Sequence, residues 1–360
     1  MGLKFSFHNK RISGILTVLP EREVTFEEEM GNYNFSPAKS MKLKLAMGYN
    51  KRRVADHGIT VSDMCVYGIN YLLDNNLLKK EDISALLLVT ESPDQFLPPT
   101  SNIIHGKLEL DTNVLCLDIN QGCAGFTVGL IQAYMMLEQP CMKKVVLMNA
   151  DLLTQKVSKR DRNNNPIMGD AASITIVERS SEPCTINALL KMDGRGAYVI
   201  QIPAGGFKMP CTPETAEMKE DETGNIRSLD HLVMKGDEVF QFVQVEVPPM
   251  IEELLEIANK KPDDIDWYFF HQPNKFMLHK LADKIGVSRE KMPANIVENF
   301  GNSSGATIPT AVNFNLKEDI LTNAYHVCFC GFGVGLAWAA VEQKFGKLEF
   351  NQIINYKKVE

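Results

Sequence analysis

Apolar residues along this chain gather in short runs, and between the runs they recur every three or four positions. DISALLLV, NVLCLDI, KKVVLMNAD and ASITIVE in the first half, and IDWYFFH, YHVCFCGF and GLAWAAVEQ in the second, predict buried strands. RISGILTVLP predicts a further strand near the start. TVGLIQAYMML has helical spacing, as does VPPMIEELLEIANK, which carries Pro248 and Pro249 in the predicted first turn. Strands alternating with amphipathic helices imply βα units and mostly parallel, buried sheets. One stretch differs: CTPETAEMKEDETGNIRSLD is polar, acidic and poor in apolar residues, which predicts a surface insertion with a hairpin or flap around Gly224-Asn225.

The pattern occurs twice. KKEDISALLLV matches KPDDIDWYFFH, NQGCAGFTVG matches FGNSSGATIP, and KKVVLMNAD matches AYHVCFCGF, in one order and about 181 residues apart. A duplication accounts for this, with halves at 1–180 and 181–360 and a boundary in the polar, turn-prone VERSSEPC.

Composition sets limits on this picture. With 44% hydrophobic and 23% charged residues the chain is ordinary for a globular protein, and no apolar run approaches the roughly 18 residues of a membrane span. A net charge of −7 argues against wholesale nucleic-acid binding. Basic clusters at Lys51, Arg52 and Arg53, and at Lys156, Lys159, Arg160 and Arg162, read first as solvated surface. The eight cysteines are irregularly spaced and include no CxxC pair, so no zinc or other metal site is expected. Cys328 and Cys330 alternate in one apolar strand and read as small buried hydrophobes. Together these features predict a reducing, cytoplasmic setting without disulfides.

The repeat also marks the chemistry. Cys123 sits where a strand turns into a helix in the first half, Asn302 sits at the equivalent corner of the second, and His271 ends the strand WYFF. A pseudo-twofold arrangement would bring these strand ends to one crevice. A cysteine at a helix N-terminus is expected to have a lowered pKa and to act as a thiolate nucleophile. Gly122, Ala124 and Gly125 leave room for a substrate. The backbone N–H of Cys123 can serve as one oxyanion donor, and the loop GFGVG supplies a second, assigned to Val334 with Gly333 beside it; one such donor contributes ~3 kcal/mol. His271 and Asn302 can donate hydrogen bonds to a thioester carbonyl that is becoming an enolate. Taken singly, each residue has a plainer reading: a buried cysteine as filler, a core histidine, a glycine-flanked helix cap. Their shared relation to the repeat favours the catalytic one.

At these residues the chain resembles the β-ketoacyl-acyl-carrier-protein synthase III family of thiolase-fold condensing enzymes. GCAGF around Cys123, HQPN from His271 and GNSSGATIP from Gly301 carry the resemblance, with MGDAAS, MKGDEVFQF and GFGVGLAW in the family's order. The resemblance implies an α/β fold in five αβαβα layers made of two pseudo-duplicated halves, a homodimer, and a Cys123–His271–Asn302 triad. It implies ping-pong chemistry: Cys123 takes an acyl group from a thioester, malonyl on an acyl carrier protein loses carbon dioxide, and the enolate attacks the acyl-cysteine. No cofactor is held permanently; coenzyme A or the carrier protein's phosphopantetheine brings the acyl group.

Several positions depart from the family. The Trp and Arg that clamp adenine correspond to Lys42 and Ala46, whereas Arg162 keeps a second arginine. A basic residue after EVF is Gln241, and the arginine after HQxN is Phe276, with Lys275 beside it. Leu97 stands where some relatives place an aromatic residue from the opposing subunit. These changes suit an acyl donor delivered on a carrier protein and a specialised fatty-acid or secondary-metabolite pathway. The rival readings are an acyltransferase of the same fold acting on an alcohol or amine, a cysteine hydrolase, and a non-catalytic scaffold. The presence of Asn302 favours condensation over the first; the flanks of Cys123 disfavour the second; the intact triad disfavours the third.

Overall fold

A computed structural model describes residues 2–358. Eleven strands build its two main sheets: β1 (Leu3–His8), β2 (Lys10–Leu19), β3 (Ile83–Val89), β4 (Leu115–Ile119), β5 (Lys144–Asp151), β6 (Ala171–Arg179), β7 (Thr185–Met192), β8 (Trp267–Phe270), β9 (Ala324–Gly333), β10 (Ala337–Gly346) and β11 (Phe350–Asn355). Seven helices matter here: α1 (Pro37–Met47), α2 (Val61–Asp74), α3 (Thr100–Lys107), α4 (Gly125–Met136), α5 (Gly236–Ile257), α6 (Lys275–Ile285) and α7 (Thr307–Leu316).

One sheet runs β11-β2-β6-β5-β3-β4 and the other β1-β7-β10-β9-β8. The four strands β2-β6-β5-β3 correspond in order and direction to β7-β10-β9-β8. The sheets are mixed, not mostly parallel as the βα pattern suggested: β2/β6, β6/β5, β7/β10 and β10/β9 are all antiparallel. β6 and β10 follow β5 and β9 without a crossover helix, so each must run back along its neighbour.

Strand alternation distributes the core between layers. In β3, Ala85, Leu87 and Val89 face a central cluster, while Leu86 and Leu88 face an outer one. In β9, Val327 and Phe329 face the centre, while Cys328 and Cys330 face the other outer cluster. The central cluster encloses α4 and α7 between the sheets, α2 and α3 cover one outer face, and α5 and α6 cover the other. The result is the five-layered αβαβα order. α4 is apolar nearly all round because it has a sheet on both sides.

The chain ends cross between the halves. β1 pairs antiparallel with β7 in the second sheet, and β11 pairs parallel with β2 in the first. The turn at 180–184 joins β6 to β7 and so leads from one sheet into the other.

The helix expected to begin at Val247 begins at Gly236, so Pro248 and Pro249 lie in its interior. Val239, Val243, Val247, Met250, Ile251 and Leu254 form one continuous buried stripe through that point. Pro248 is half-buried and Pro249 exposed, both off the stripe, and the Gln244 carbonyl that Pro248 cannot bond accepts from Lys284 Nζ at 2.6 Å. The acidic insertion does form a hairpin, Lys219–Glu220 against Ile226–Arg227, with Gly224 at φ 82° in its turn. It is tied to the 158–162 loop by hydrogen bonds from Ser158 Oγ to the Ile226 carbonyl and from Arg162 to Asn225. Arg52 is not solvated surface: it is buried, paired with Glu29 at 2.7 Å, and it donates to the Met168 carbonyl at 3.0 Å.

Candidate active site

The strand ends of both sheets converge on a chamber of about 470 Å³. Cys123, His271, Asn302, Glu91, Gly333 and Val334 line its polar end. Leu43, Met47, Ile167, Leu232, Val243 and Phe276 are among its apolar walls. The structure therefore brings together the three residues that the repeat singled out.

Each is held by its local fold. Cys123 lies just before α4, against the loop that follows β9. A methyl on Gly333 would fall 2.6 Å from Cβ of Cys123 and 2.9 Å from its sulfur, so only glycine allows this approach. The Ser304 hydroxyl and then the Val334 amide are near enough to the thiol to favour its ionised form. That puts the expected second oxyanion donor beside the sulfur. Asn302 is anchored to the MGDAAS loop: its N–H donates to the Ile167 carbonyl at 2.7 Å, and its carbonyl accepts from Gly169 at 3.0 Å. Its side-chain oxygen accepts the Ser304 N–H at 2.9 Å, which leaves the Nδ2 hydrogens for the chamber. Asp170 of the same motif is structural: it receives the Ala55 and Thr154 amides, and burial raises its pKa to about 6.

His271 follows β8, its N–H donating to the Cys330 carbonyl at 2.8 Å. Its Nδ1 lies 2.9 Å from the Thr307 hydroxyl, and the Phe332 ring meets the imidazole edge-on at 5.6 Å. Burial lowers its pKa to about 3, partly opposed by the nearby Ser304 backbone. The imidazole is therefore neutral, the form suited to donating a hydrogen bond without acting as a strong acid.

The thiol departs from expectation. Burial, and then the charge of Glu91, push the Cys123 pKa up to about 12, and this outweighs the Ser304 and Val334 hydrogen bonds and the helix N-terminus. Glu91 lies just past β3 and was missed in the sequence, although the repeat pairs that strand end with the one carrying His271. Burial and the nearby Asp151 raise its pKa in turn. Ser304 and Thr307 were also overlooked, though both belong to GNSSGATIP.

The outer candidates divide. Phe276 forms wall and stacks on Phe240 at 5.7 Å. Arg162 lines the chamber and lies over the Phe35 ring at 4.5 Å. Lys275 does not reach the chamber; it pairs with Glu298 at 3.5 Å. Leu97 is 80% exposed and lies outside the walls of this single chain. Lys42, Ala46 and Gln241 are exposed on α1 and α5. Asn274 caps α6 by accepting the Met277 N–H at 2.8 Å. Among the described residues no cluster could hold a metal ion, and no helix is long and apolar enough to cross a membrane.

Residues 117–194 match the family model of 3-oxoacyl-[acyl-carrier-protein] synthase III, and residues 255–344 match that of its C-terminal part. The β-ketoacyl-[acyl-carrier-protein] synthase III of Clostridium tetani is 30% identical over 300 residues, 83% of this chain and 88% of its own. That of Caldanaerobacter subterraneus subsp. tengcongensis is 29% identical over 301 residues, 83% and 88% of the two chains. The crystal structure of 3-oxoacyl-(acyl-carrier protein) synthase from Burkholderia xenovorans LB400 has the same fold, with a TM-score of 0.91 and 30% identity over 99% of both chains. Since the likeness spans the whole chain and includes the segments that carry Cys123, His271 and Asn302, the chain belongs to the 3-oxoacyl-[acyl-carrier-protein] synthase III family of thiolase-fold condensing enzymes, which are acyltransferases.

Proposed function

We propose that the chain condenses an acyl group with malonyl carried on an acyl carrier protein. The observation that supports this reading is the meeting of one thiol, one neutral imidazole and one carboxamide in a single, largely apolar chamber, with the Val334 amide at the sulfur. Cys123 attacks the donor thioester, and the amides of Cys123 and Val334 stabilise the oxyanion. Malonyl then enters and loses carbon dioxide. Asn302 Nδ2 and His271 donate to the enolate oxygen, and the enolate carbon attacks the acyl-cysteine. The β-ketoacyl group leaves on the carrier protein and the thiol is restored.

Apolar walls, both aliphatic and aromatic, suit an acyl chain. The exposed positions of Lys42 and Ala46 offer nothing to an adenine, so the favoured donor is acyl-carrier protein over acyl-coenzyme A. The partners we infer are the carrier protein and a second copy of the chain. β4 is an uncovered edge strand that presents Leu115 and Leu117, an edge that calls for a neighbour. Cytoplasmic location and a specialised pathway belong to the same reading.

The test is mass spectrometry of the Cys123 peptide after mixing with acyl-carrier protein or acyl-coenzyme A, paired with carbon dioxide release from malonyl-carrier protein. His271→Ala and Asn302→Ala should still acylate but fail to release carbon dioxide. An adduct on a different cysteine, or normal release by both variants, contradicts the assignment.

A further inference from the structure

Decarboxylation forms an enolate without any base, so the chemistry proposed above has no use for a carboxylate in the chamber. One is present nonetheless. A methyl on Gly122 would stand 2.1 Å from Oε2 of Glu91, so this carboxylate rests on the backbone of the residue before Cys123. Glu91 lines the chamber with Cys123, His271 and Asn302. Ser304 Oγ donates to Oε2 at 3.1 Å and lies near enough to the thiol to lower its pKa, which places it between Glu91 and Cys123.

A structural carboxylate would be tied more fully. Asp151, its neighbour, accepts from Thr90 Oγ1, the Glu91 N–H and Ser92 Oγ. The Glu91 carboxylate accepts one hydrogen bond among the described residues, and the side chain keeps part of its surface open to the chamber. Its setting is also unfavourable to the assigned chemistry: whenever it is ionised it opposes the thiolate of Cys123 and repels an incoming malonyl carboxylate.

We propose that Glu91 is a base that takes an α-proton from an acyl thioester in this chamber, which gives the site a second way to an enolate, one without loss of carbon dioxide. The inference rests on reading the chamber as a condensing site. The Cα–H bond breaks, its proton goes to a Glu91 oxygen, and its electron pair forms the C=C–O⁻ enolate under Asn302 and His271. Attack on the acyl-cysteine forms the new C–C bond and expels the Cys123 thiolate. The proton on Glu91 then passes through the Ser304 hydroxyl to the sulfur, which restores both groups. The substrate class is a simple saturated acyl thioester on a pantetheine arm. Burial and Asp151 raise the proton affinity of Glu91, which strengthens it as a base toward a carbon acid.

The experiment incubates acetyl-pantetheine in heavy water with the native protein and with Cys123→Ala, which removes competing acyl transfer, and follows deuteration of the acetyl methyl by NMR. Both proteins should deuterate it at least ten-fold faster than protein-free solution. Adding Glu91→Gln to Cys123→Ala should return the rate to that of protein-free solution, with a cooperative melting transition showing that the fold is kept. Carbon dioxide release from malonyl-carrier protein by the native protein is measured alongside. Release without deuteration overturns this inference and leaves the condensing reading intact. Equal deuteration by the Glu91→Gln protein removes Glu91 from the role. Deuteration that depends on Glu91, without carbon dioxide release, supports the inference and contradicts the decarboxylative reading.

Discussion

The Thr307 hydroxyl lies 2.9 Å from Nδ1 of His271 and 2.8 Å from the carbonyl oxygen of Ser304, and it has one hydrogen for the two acceptors. Turned to Nδ1, it leaves the imidazole hydrogen on Nε2, where it can be donated to an enolate. Turned to Ser304, it leaves Nε2 as an acceptor. Donation from Nε2 to the enolate therefore requires the Thr307 hydroxyl to be turned to Nδ1. Thr307→Val should slow carbon dioxide release from malonyl-carrier protein by about 10- to 100-fold, or ~1.4–2.7 kcal/mol. Thr307→Ser should restore it. Release at the native rate by the valine variant would remove Thr307 from catalysis.

Cys123 should be a slow nucleophile in the empty site. With its pKa pushed to about 12, the thiolate fraction is small at neutral pH and rises tenfold for each pH unit. Alkylation of Cys123 by iodoacetamide should accelerate steadily between pH 7 and 9. At pH 7 it should lag behind the exposed Cys141 and Cys211. A plateau below pH 8 would restore the low-pKa thiolate expected of a helix N-terminus.

Gly333→Ala should abolish acylation. Its methyl would lie 2.6 Å from Cβ of Cys123, so the loop or the cysteine must move, at a stability cost of ~1–3 kcal/mol. Displacing the loop also moves the Val334 amide away from the sulfur. Intact-protein mass after exposure to an acyl donor reads this directly, and a normally acylated variant would show that the loop can yield.

Glu91 should make the fold less stable as pH rises. Its pKa is raised above the ordinary carboxylate value, so the folded state keeps a proton that the unfolded chain gives up. That contribution is whole below the unfolded pKa and fades as pH climbs toward the folded one. Glu91→Gln should therefore gain in melting temperature over the native protein, and the gap should widen from pH 5 to pH 8. Asp151 and Asp170 have raised pKa values too, so part of the decline should persist in the variant. A gap that narrows over that range would reverse the sign argued here.

Much of the architecture was legible because it is local. The alternation in DISALLLV and HVCFCGF is the alternation of central and outer faces, and the duplicated corners hold Cys123 and Asn302. Features set by distant pairing were not legible. MKGDEVFQFVQVEV alternates too loosely for its first turn to be seen, and only the face of β10 and its neighbours reveals the buried stripe. The thiol's proton affinity depends on burial in the assembled chamber and then on Glu91, which arrives from a different strand end, so a helix-terminus argument applied to Cys123 alone has the wrong sign. Lys275 shows the same limit: the motif places it near the site, but its side chain turns to Glu298.

The exchange of terminal strands has a consequence for biosynthesis. β2 is synthesised long before β11, yet its outer edge waits for that strand. Until then the nascent first sheet carries an open flank along RISGILTVLP, one that another polypeptide could occupy. Synthesis of β11, rather than completion of the first half, is what closes that flank.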